Sequence, residues 1–338
     1  MPRAFAAIAL AAILAASAAA APAPDRVWFS PGPGTIDYLR LFERPEEWPR
    51  ARELTSVFKF YQQHTQTPPP AIVGPNTYDA LVRAGAFRKL ASWGKKIAIE
   101  VGAVKEFFCT PDASGMTDSI RQTIASVRAV EAAGGKVAYL AMDEPFVSGR
   151  ARICGGPALE PTADRVAQYI AAVTAAVPGV RIGLIEAYPF SSAAAIESMI
   201  ALLEARGTPP AFLHMDVDWH LSGGSAFERD MARLQTFCAA RKLTFGVIIT
   251  GYEGNADALY ATDVYGITNL VARTFLSWDR MPEHLIFQSW VVSATGLLVT
   301  PSNTPESRAF THTAMLWDVF RRLRGATGPA AERAVIRQ

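Results

Sequence analysis

At 338 residues, half of them hydrophobic and 19% charged, the chain can bury the core of one large domain or two small ones. A net charge of +2, without a basic run or aromatic and basic residues interleaved, argues against nucleic acid or an anionic membrane as partner. Three cysteines in an exported chain allow one disulfide and one spare thiol.

Residues 1–21 read as a signal peptide. Arg3 supplies the positive start, Ala4 to Ala16 the apolar stretch, and Ala18-Ala19-Ala20 the small-residue cleavage pattern. The protein is therefore expected to be secreted or periplasmic. No later segment is apolar enough to span a bilayer.

From Asp25 onward, strands and helices alternate. The first strand is expected at Val27–Phe29, followed by the turn-rich SPGPG and a helix over Glu46–Leu54. A second strand, Ser56–Tyr61, leads through a proline-rich loop to a helix over Asn76–Trp93, capped by Asn76 or Thr77. The third pair is Lys96–Val101 with Thr117–Ala133, which closes at Gly134-Gly135. The fourth strand is the stretch VAYLAMDEPF, Val137–Phe146. Its apolar run suits a parallel strand covered on both faces, and Pro145 ends the pairing where Asp143 and Glu144 emerge. Two adjacent acids on an extended strand project to opposite sides, so at most one is expected to face the centre.

The remaining pairs are Thr162–Val177 with Val180–Glu186, Ser191–Arg206 with Phe212–Asp218, Ala226–Arg241 with Thr244–Thr250, and Asp257–Phe275 with Leu285–Val291. Pro305–Arg324 is the last helix. Eight strands, each followed by a helix and without a strong linker, predict a single-domain (β/α)8 TIM barrel over residues 25–325, with 326–338 as a tail. A doubly wound sheet is the competitor, but SPGPG lacks the spacing of a dinucleotide fingerprint. No cofactor is expected, and the protein is read as a monomer.

In such a barrel the C-terminal strand ends converge on one mouth. Those ends carry Glu100 and, just beyond, Lys105; Asp143 and Glu144; Glu186 and Tyr188; Asp216, Asp218, Trp219 and His220; Tyr252 and Glu253; Gln288 and Trp290. Acids on nearly every strand exceed what helix capping demands. Paired carboxyl groups with aromatic platforms are what sugar-bond cleavage uses: one carboxyl donates a proton to the leaving oxygen, and the other attacks or activates water. Glu100, Asp143, Glu186, Tyr188, Asp216, Asp218, Trp219, Tyr252 and Trp290 are accordingly candidate substrate-binding residues.

The Glu-Pro pair ending strand four and the Glu after strand seven resemble the glycoside hydrolases of clan A, the 4/7 superfamily. The resemblance implies Glu144 as acid/base, Glu253 as nucleophile, and Trp290 in the sugar subsite nearest the cleaved bond. Asp143 stands where the clan usually has Asn, and Glu186 or Asp218 can take the nucleophile role in place of Glu253. The implied activity is retaining hydrolysis of a poly- or oligosaccharide. The alternatives are a non-catalytic carbohydrate-binding barrel of the cell envelope and a metal-dependent hydrolase. For the latter, His214, Asp216, Asp218 and His220 would share one face of an extended strand six, although no His-x-His on strand one completes such a site. No Gly-x-Ser-x-Gly elbow supports an esterase. Cys109 and Cys154, in consecutive loops at the mouth, are expected to form a disulfide, and Cys238 to be a buried thiol.

Overall fold

The computed structural model describes residues 25–106, 114–149, 158–222, 224–296 and 299–325. Within them, eight parallel strands close into one barrel in sequence order: β1 Val27–Ser30, β2 Val57–Tyr61, β3 Lys96–Val101, β4 Val137–Asp143, β5 Arg181–Tyr188, β6 Phe212–Val217, β7 Thr244–Ile249 and β8 His284–Gln288. β1 pairs with β8, Ser30 opposite Gln288, and leaves no edge. The expected signal peptide, the tail after Gly325, and Cys109 and Cys154 lie outside the described residues. Cys238 is buried and unbridged, and burial pushes its thiol up to about 12. No described helix is long and apolar enough to cross a membrane.

The strands are apolar on both sides because they separate two cores. Inward-facing Trp28, Val57, Ala98, Tyr139, Ala141, Ile185, Phe212, Ile248 and Ile286 fill the barrel. The opposite faces pack under the helices in a larger outer core. The helix Ala193–Ala205 shows how the outer layer is made. Ser192 caps it by accepting from the Ala195 amide at 3.2 Å. Ile196, Met199, Ile200 and Leu203, spaced three and four apart, form its buried face. Each such side chain contributes about 1.5–3 kcal/mol by leaving water. Gly207, at φ +72°, turns the chain toward β6.

Several helices differ from the sequence expectation. The segment expected as Asn76–Trp93 is two helices, Tyr78–Arg83 and Ala86–Ser92, because Gly85 adopts φ +71° between them. Thr77 is the cap of the first, its hydroxyl accepting from the Ala80 amide. Residues Glu46–Leu54 divide at Trp48 into a 3₁₀ turn and the helix Pro49–Leu54. The last helix begins at His312, and β8 stops at Gln288, three residues before its expected end.

The barrel floor carries a second surprise, a cluster of buried histidines. His214 and His284 meet ring to ring, nitrogen to nitrogen at 2.9 Å, against Trp28, Phe212 and Tyr139. His312 stands apart from them beneath Phe29 and Phe287, and neither of its ring nitrogens has a partner among the described residues. Burial pulls its pKa down to about 3. The unfolded chain takes up this proton near the usual value, about 6.5, whereas the folded chain refuses it until far lower pH. Titration of His312 therefore adds no penalty above about 6.5, and stability is lost as pH falls from there toward about 3. His312→Phe is expected to stabilise the fold by about 1–3 kcal/mol at neutral pH by removing an unsatisfied polar ring. The gain should widen on acidification. Urea unfolding of both proteins at pH 7 and 5 measures this; a gain that shrinks at pH 5 contradicts it.

Candidate active site

A cleft of about 320 Å³ opens at the C-terminal ends of the strands. Its chemistry is carried by Glu100, Lys105, Asp143, Glu144, Asp216 and Asp218, its walls by Tyr61, Tyr188, Phe190, Tyr252 and Trp290. The two-residue strand period explains most of the membership. On β5, Ile185 and Ala187 face the cleft; on β6, Asp216 does.

Asp143 and Glu144 both line the cleft, contrary to the expectation that at most one would. The reason is local: β4 ends at Asp143, and Glu144 leaves extended backbone for φ +47°. That conformation costs a non-glycine residue about 1–3 kcal/mol, and the following proline disfavours helical backbone at the same residue. Two bonds hold the strained turn. The Glu144 amide donates to the Ile185 carbonyl at 2.9 Å, and the Glu144 carbonyl accepts from Ser148 at 2.9 Å. Lys105 then spans both acids, 2.7 Å from Asp143 Oδ2 and 3.4 Å from Glu144 Oε2. Burial works against the Lys105 charge, but Asp143 and Glu144 outweigh it and raise its pKa. Glu144 is itself raised, by burial first and by Asp143 second, with Lys105 opposing.

Asp216 faces this pair from β6. Its Oδ1 is sealed from solvent and has no hydrogen-bond partner among the described residues. Burial, followed by the charges of Glu144, Asp143 and Glu100, raises its carboxyl well above the usual range. Asp218 also reaches the cleft, where its Oδ1 accepts from the His220 amide at 3.1 Å.

Beneath the mouth, Lys59 is wholly buried and bonded to both Glu100 and Gln288. Gln288 also donates to Tyr61 Oη at 3.1 Å and to Glu100 Oε2 at 3.0 Å. Burial raises the Glu100 carboxyl, and the Lys59 charge opposes it. The sequence reading did not select Lys59, although a signal is visible: it is the only charge in VFKFY, at an inward position of an otherwise apolar strand.

Three expected substrate-binding or catalytic residues stand elsewhere. Glu186 is fully buried on the outer side of β5 and caps the helix Pro145–Gly149, its two oxygens accepting from the Phe146 and Val147 amides at 3.0 and 3.3 Å. It faces outward because it alternates with Ile185 and Ala187. Burial pushes its carboxyl up to about 8. Trp219 is not among the cleft-lining residues. β6 ends at Val217, the chain coils into the helix Trp219–Ser222, and the indole stacks on His220 at 4.0 Å and fills the space left by Gly266. Glu253 lies in the loop after β7 and is not among the cleft-lining residues; its Oε1 accepts from the backbone and side chain of Asn255 at 2.8 and 2.6 Å.

The alternating His214, Asp216, Asp218 and His220 do not gather, because His214 lies lower on β6 than Asp216 and the strand ends at Val217 before the other two. His214 is in the floor, the two acids are at the cleft, and His220 pairs with Asp263 at 3.2 Å.

Asp263, on the helix Asp257–Phe275, organises the β7 side of the mouth. Its Oδ2 accepts from the Tyr252 and Glu253 amides, both at 3.0 Å. Tyr252 in turn donates to the Val217 carbonyl at 2.8 Å and stands edge-on to Trp290. Asp263→Ala leaves both amides unpaired, at about 1–3 kcal/mol each. The variant is expected to be destabilised by a corresponding amount, with the aromatic wall loosened. Denaturant unfolding of the variant reads this; an unchanged midpoint removes the loop-holding role.

Neither a protein-family model nor a curated protein matches the sequence. Solved structures do match in fold. They include a glucosidase from Croceicoccus marinus (TM-score 0.53, 12% identity, 88% of this chain and 67% of that one). Xylanase 10B from Thermotoga maritima superposes at 0.50, with 10% identity over 79% and 83% of the two chains. An L-ribulose 3-epimerase superposes at 0.48, with 17% identity over 92% and 96%. At these identities the likeness is one of fold, the (β/α)8 barrel.

Proposed function

We propose that the cleft hydrolyses glycosidic bonds of a poly- or oligosaccharide, with Glu144 as proton donor and Asp216 as the second carboxyl group. The observation that carries this reading is the meeting of Asp143, Glu144 and Asp216 between the aromatic walls of Tyr188, Tyr252 and Trp290. Hydrolysis needs one carboxyl protonated and another ionised. Two carboxyl groups that repel each other in a buried site titrate as a pair, so that one is protonated while the other is charged. Glu144 takes the donor role because its Glu-Pro exit from strand four resembles that of the clan A enzymes. Its raised pKa keeps it protonated to higher pH than an ordinary carboxyl. Asp216 replaces Glu253 as second group, since Glu253 is engaged with Asn255 away from the cleft lining. The aromatic rings supply flat apolar faces for sugar rings.

Retention, which the clan resemblance ties to a strand-four and strand-seven pair, is tested for the Glu144 and Asp216 pair by NMR of the first-formed product. Purified protein incubated with a polysaccharide panel should release new reducing ends. Binding without release favours a carbohydrate-binding barrel. The Arg3 to Ala20 pattern supports export of the enzyme in this reading, and the N-terminus of the mature protein tests it.

A further inference from the structure

Resting on the hydrolysis proposed above, we infer that Lys105 is a positioning residue for its proton donor: the ammonium rests on Asp143 and closes onto Glu144 as Glu144 gives up its proton. Lys105 is the only positively charged side chain lining the cleft among the described residues. The other groups about Glu144 are acids and a phenol: Asp143 beside it, Asp216 on β6, Glu186 on β5 and Tyr252 after β7. Lys59, lower in the barrel, is bonded to Glu100 and Gln288.

Lys105 is held on a turn built like the one that carries Glu144. It belongs to the 3₁₀ turn Ala103–Glu106 at the exit of β3, which the chain enters with Ala103 at φ +45°. That backbone is unfavourable for a residue with a Cβ, and three bonds brace it. Ser119 Oγ donates to the Ala103 carbonyl at 2.9 Å, the Gly102 amide donates to Gln62 Oε1 at 3.2 Å, and the Lys105 amide donates to the Gly102 carbonyl at 2.8 Å. Two neighbouring strand exits are thus strained in the same sense, and the side chains they aim meet. The Lys105 ammonium is 2.7 Å from Asp143 Oδ2 and 3.4 Å from Glu144 Oε2.

The unequal distances carry the role. An ammonium on a charged carboxylate normally sits at about 2.7–2.9 Å, so the Asp143 contact is complete and the Glu144 contact is not. In the proposed step Glu144 passes its proton to the leaving oxygen as that oxygen takes the electron pair of the breaking C–O bond. Asp216, or the water it activates, supplies a new pair to the anomeric carbon. Glu144 then holds a full negative charge beside Asp143, where two anions repel. A cation already 3.4 Å away meets that charge by a small movement. Its attraction is therefore greater after proton transfer than before, which is the condition for lowering the barrier.

The test follows the pH dependence of kcat/KM for Lys105→Met and Lys105→Arg on the panel polysaccharide that is cleaved. Lys105→Met should lower kcat about 10–10²-fold, as for loss of one charge-stabilising donor. It should also move the alkaline limb to higher pH, since the cation opposing protonation of Glu144 is gone. Lys105→Arg, which keeps the charge, should restore a large part of both. Should Lys105→Met fail to fold, Lys105→Gln, which keeps a polar head for Asp143, is read in its place. A lysine that merely ties the two loops together would lower the thermal midpoint and the rate with the limb unmoved. That result overturns the inference and leaves the hydrolase standing. Where no glycan is cleaved, the hydrolase reading falls by itself, and ¹³C NMR titration of the Glu144 carboxyl, identified by its loss in Glu144→Gln, replaces the kinetics. A higher midpoint in Lys105→Met that Lys105→Arg reverses keeps Lys105 as the cation controlling Glu144. An unchanged midpoint overturns it.

Discussion

Under the proposed hydrolysis, Glu144→Gln is expected to lower kcat by about 10²–10⁴-fold, the usual contribution of a positioned general acid. The fold should be unaffected, because the amide keeps the size of the side chain and the backbone turn at φ +47° is unchanged. Only the weaker of the two Lys105 contacts, at 3.4 Å, changes partner. Asp216→Asn should cause a loss of similar order, since the second carboxyl is then gone. Glu253→Gln should leave turnover within a few-fold of the parent, because Glu253 is held by Asn255 outside the cleft lining. The comparison of the three variants separates the β4/β6 pairing from the β4/β7 pairing that the clan resemblance implies. A Glu253 variant as inactive as the Glu144 variant would restore the latter. The alkaline limb of the parent's kcat/KM should lie above the ordinary glutamate value of about 4.3, because burial and Asp143 raise Glu144 more than Lys105 lowers it.

The largest stability effect is expected at Lys59. Lys59→Met leaves Glu100 in a buried position with its charge uncompensated, and breaking a buried pair from one side costs about 3–5 kcal/mol. For a chain of this size that corresponds to a fall in Tm of about 5–8 °C. Gln288 loses an ammonium donor at the same time, so the loosening reaches Tyr61, to which Gln288 donates. Removing both charges, in Lys59→Met/Glu100→Leu, should recover most of the loss, since neither ion is then left alone. Denaturant unfolding of the two single variants and the double variant closes the cycle. A Lys59→Met protein within about 1 kcal/mol of the parent would mean that Glu100 is neutral in the folded state and that the ion pair is not what holds this layer together.

The role of Glu186 shows how a site can be built by a residue outside it. Sequence places Glu186 at the end of a mouth-facing strand, which makes it a candidate for substrate contact. The structure instead uses it to cap the short helix that begins at Pro145, next to the turn that aims Glu144.

What the amino-acid sequence by itself determined is the order of elements and the end of the barrel at which chemistry can occur. Apolar runs bounded by turn residues, with helical periodicity between them, specify eight βα units, and that many units close into a barrel. The exit of Asp143 and Glu144 before Pro145 is equally legible, because strand pairing and proline chemistry are local. Tertiary structure alone decided which acids meet. Extended-strand parity sends Asp143 and Glu144 to opposite sides, and it is the left-handed turn at Glu144, held by the Ile185 carbonyl of the next strand, that reverses this. Parity sends Glu186 outward, and the early end of β6 removes Trp219 and His220 from the mouth. The Lys59, Glu100 and Gln288 network joins residues 41 and 229 positions apart. No local pattern links them, because burying a lysine becomes tolerable only once closure of the barrel brings its two partners to it.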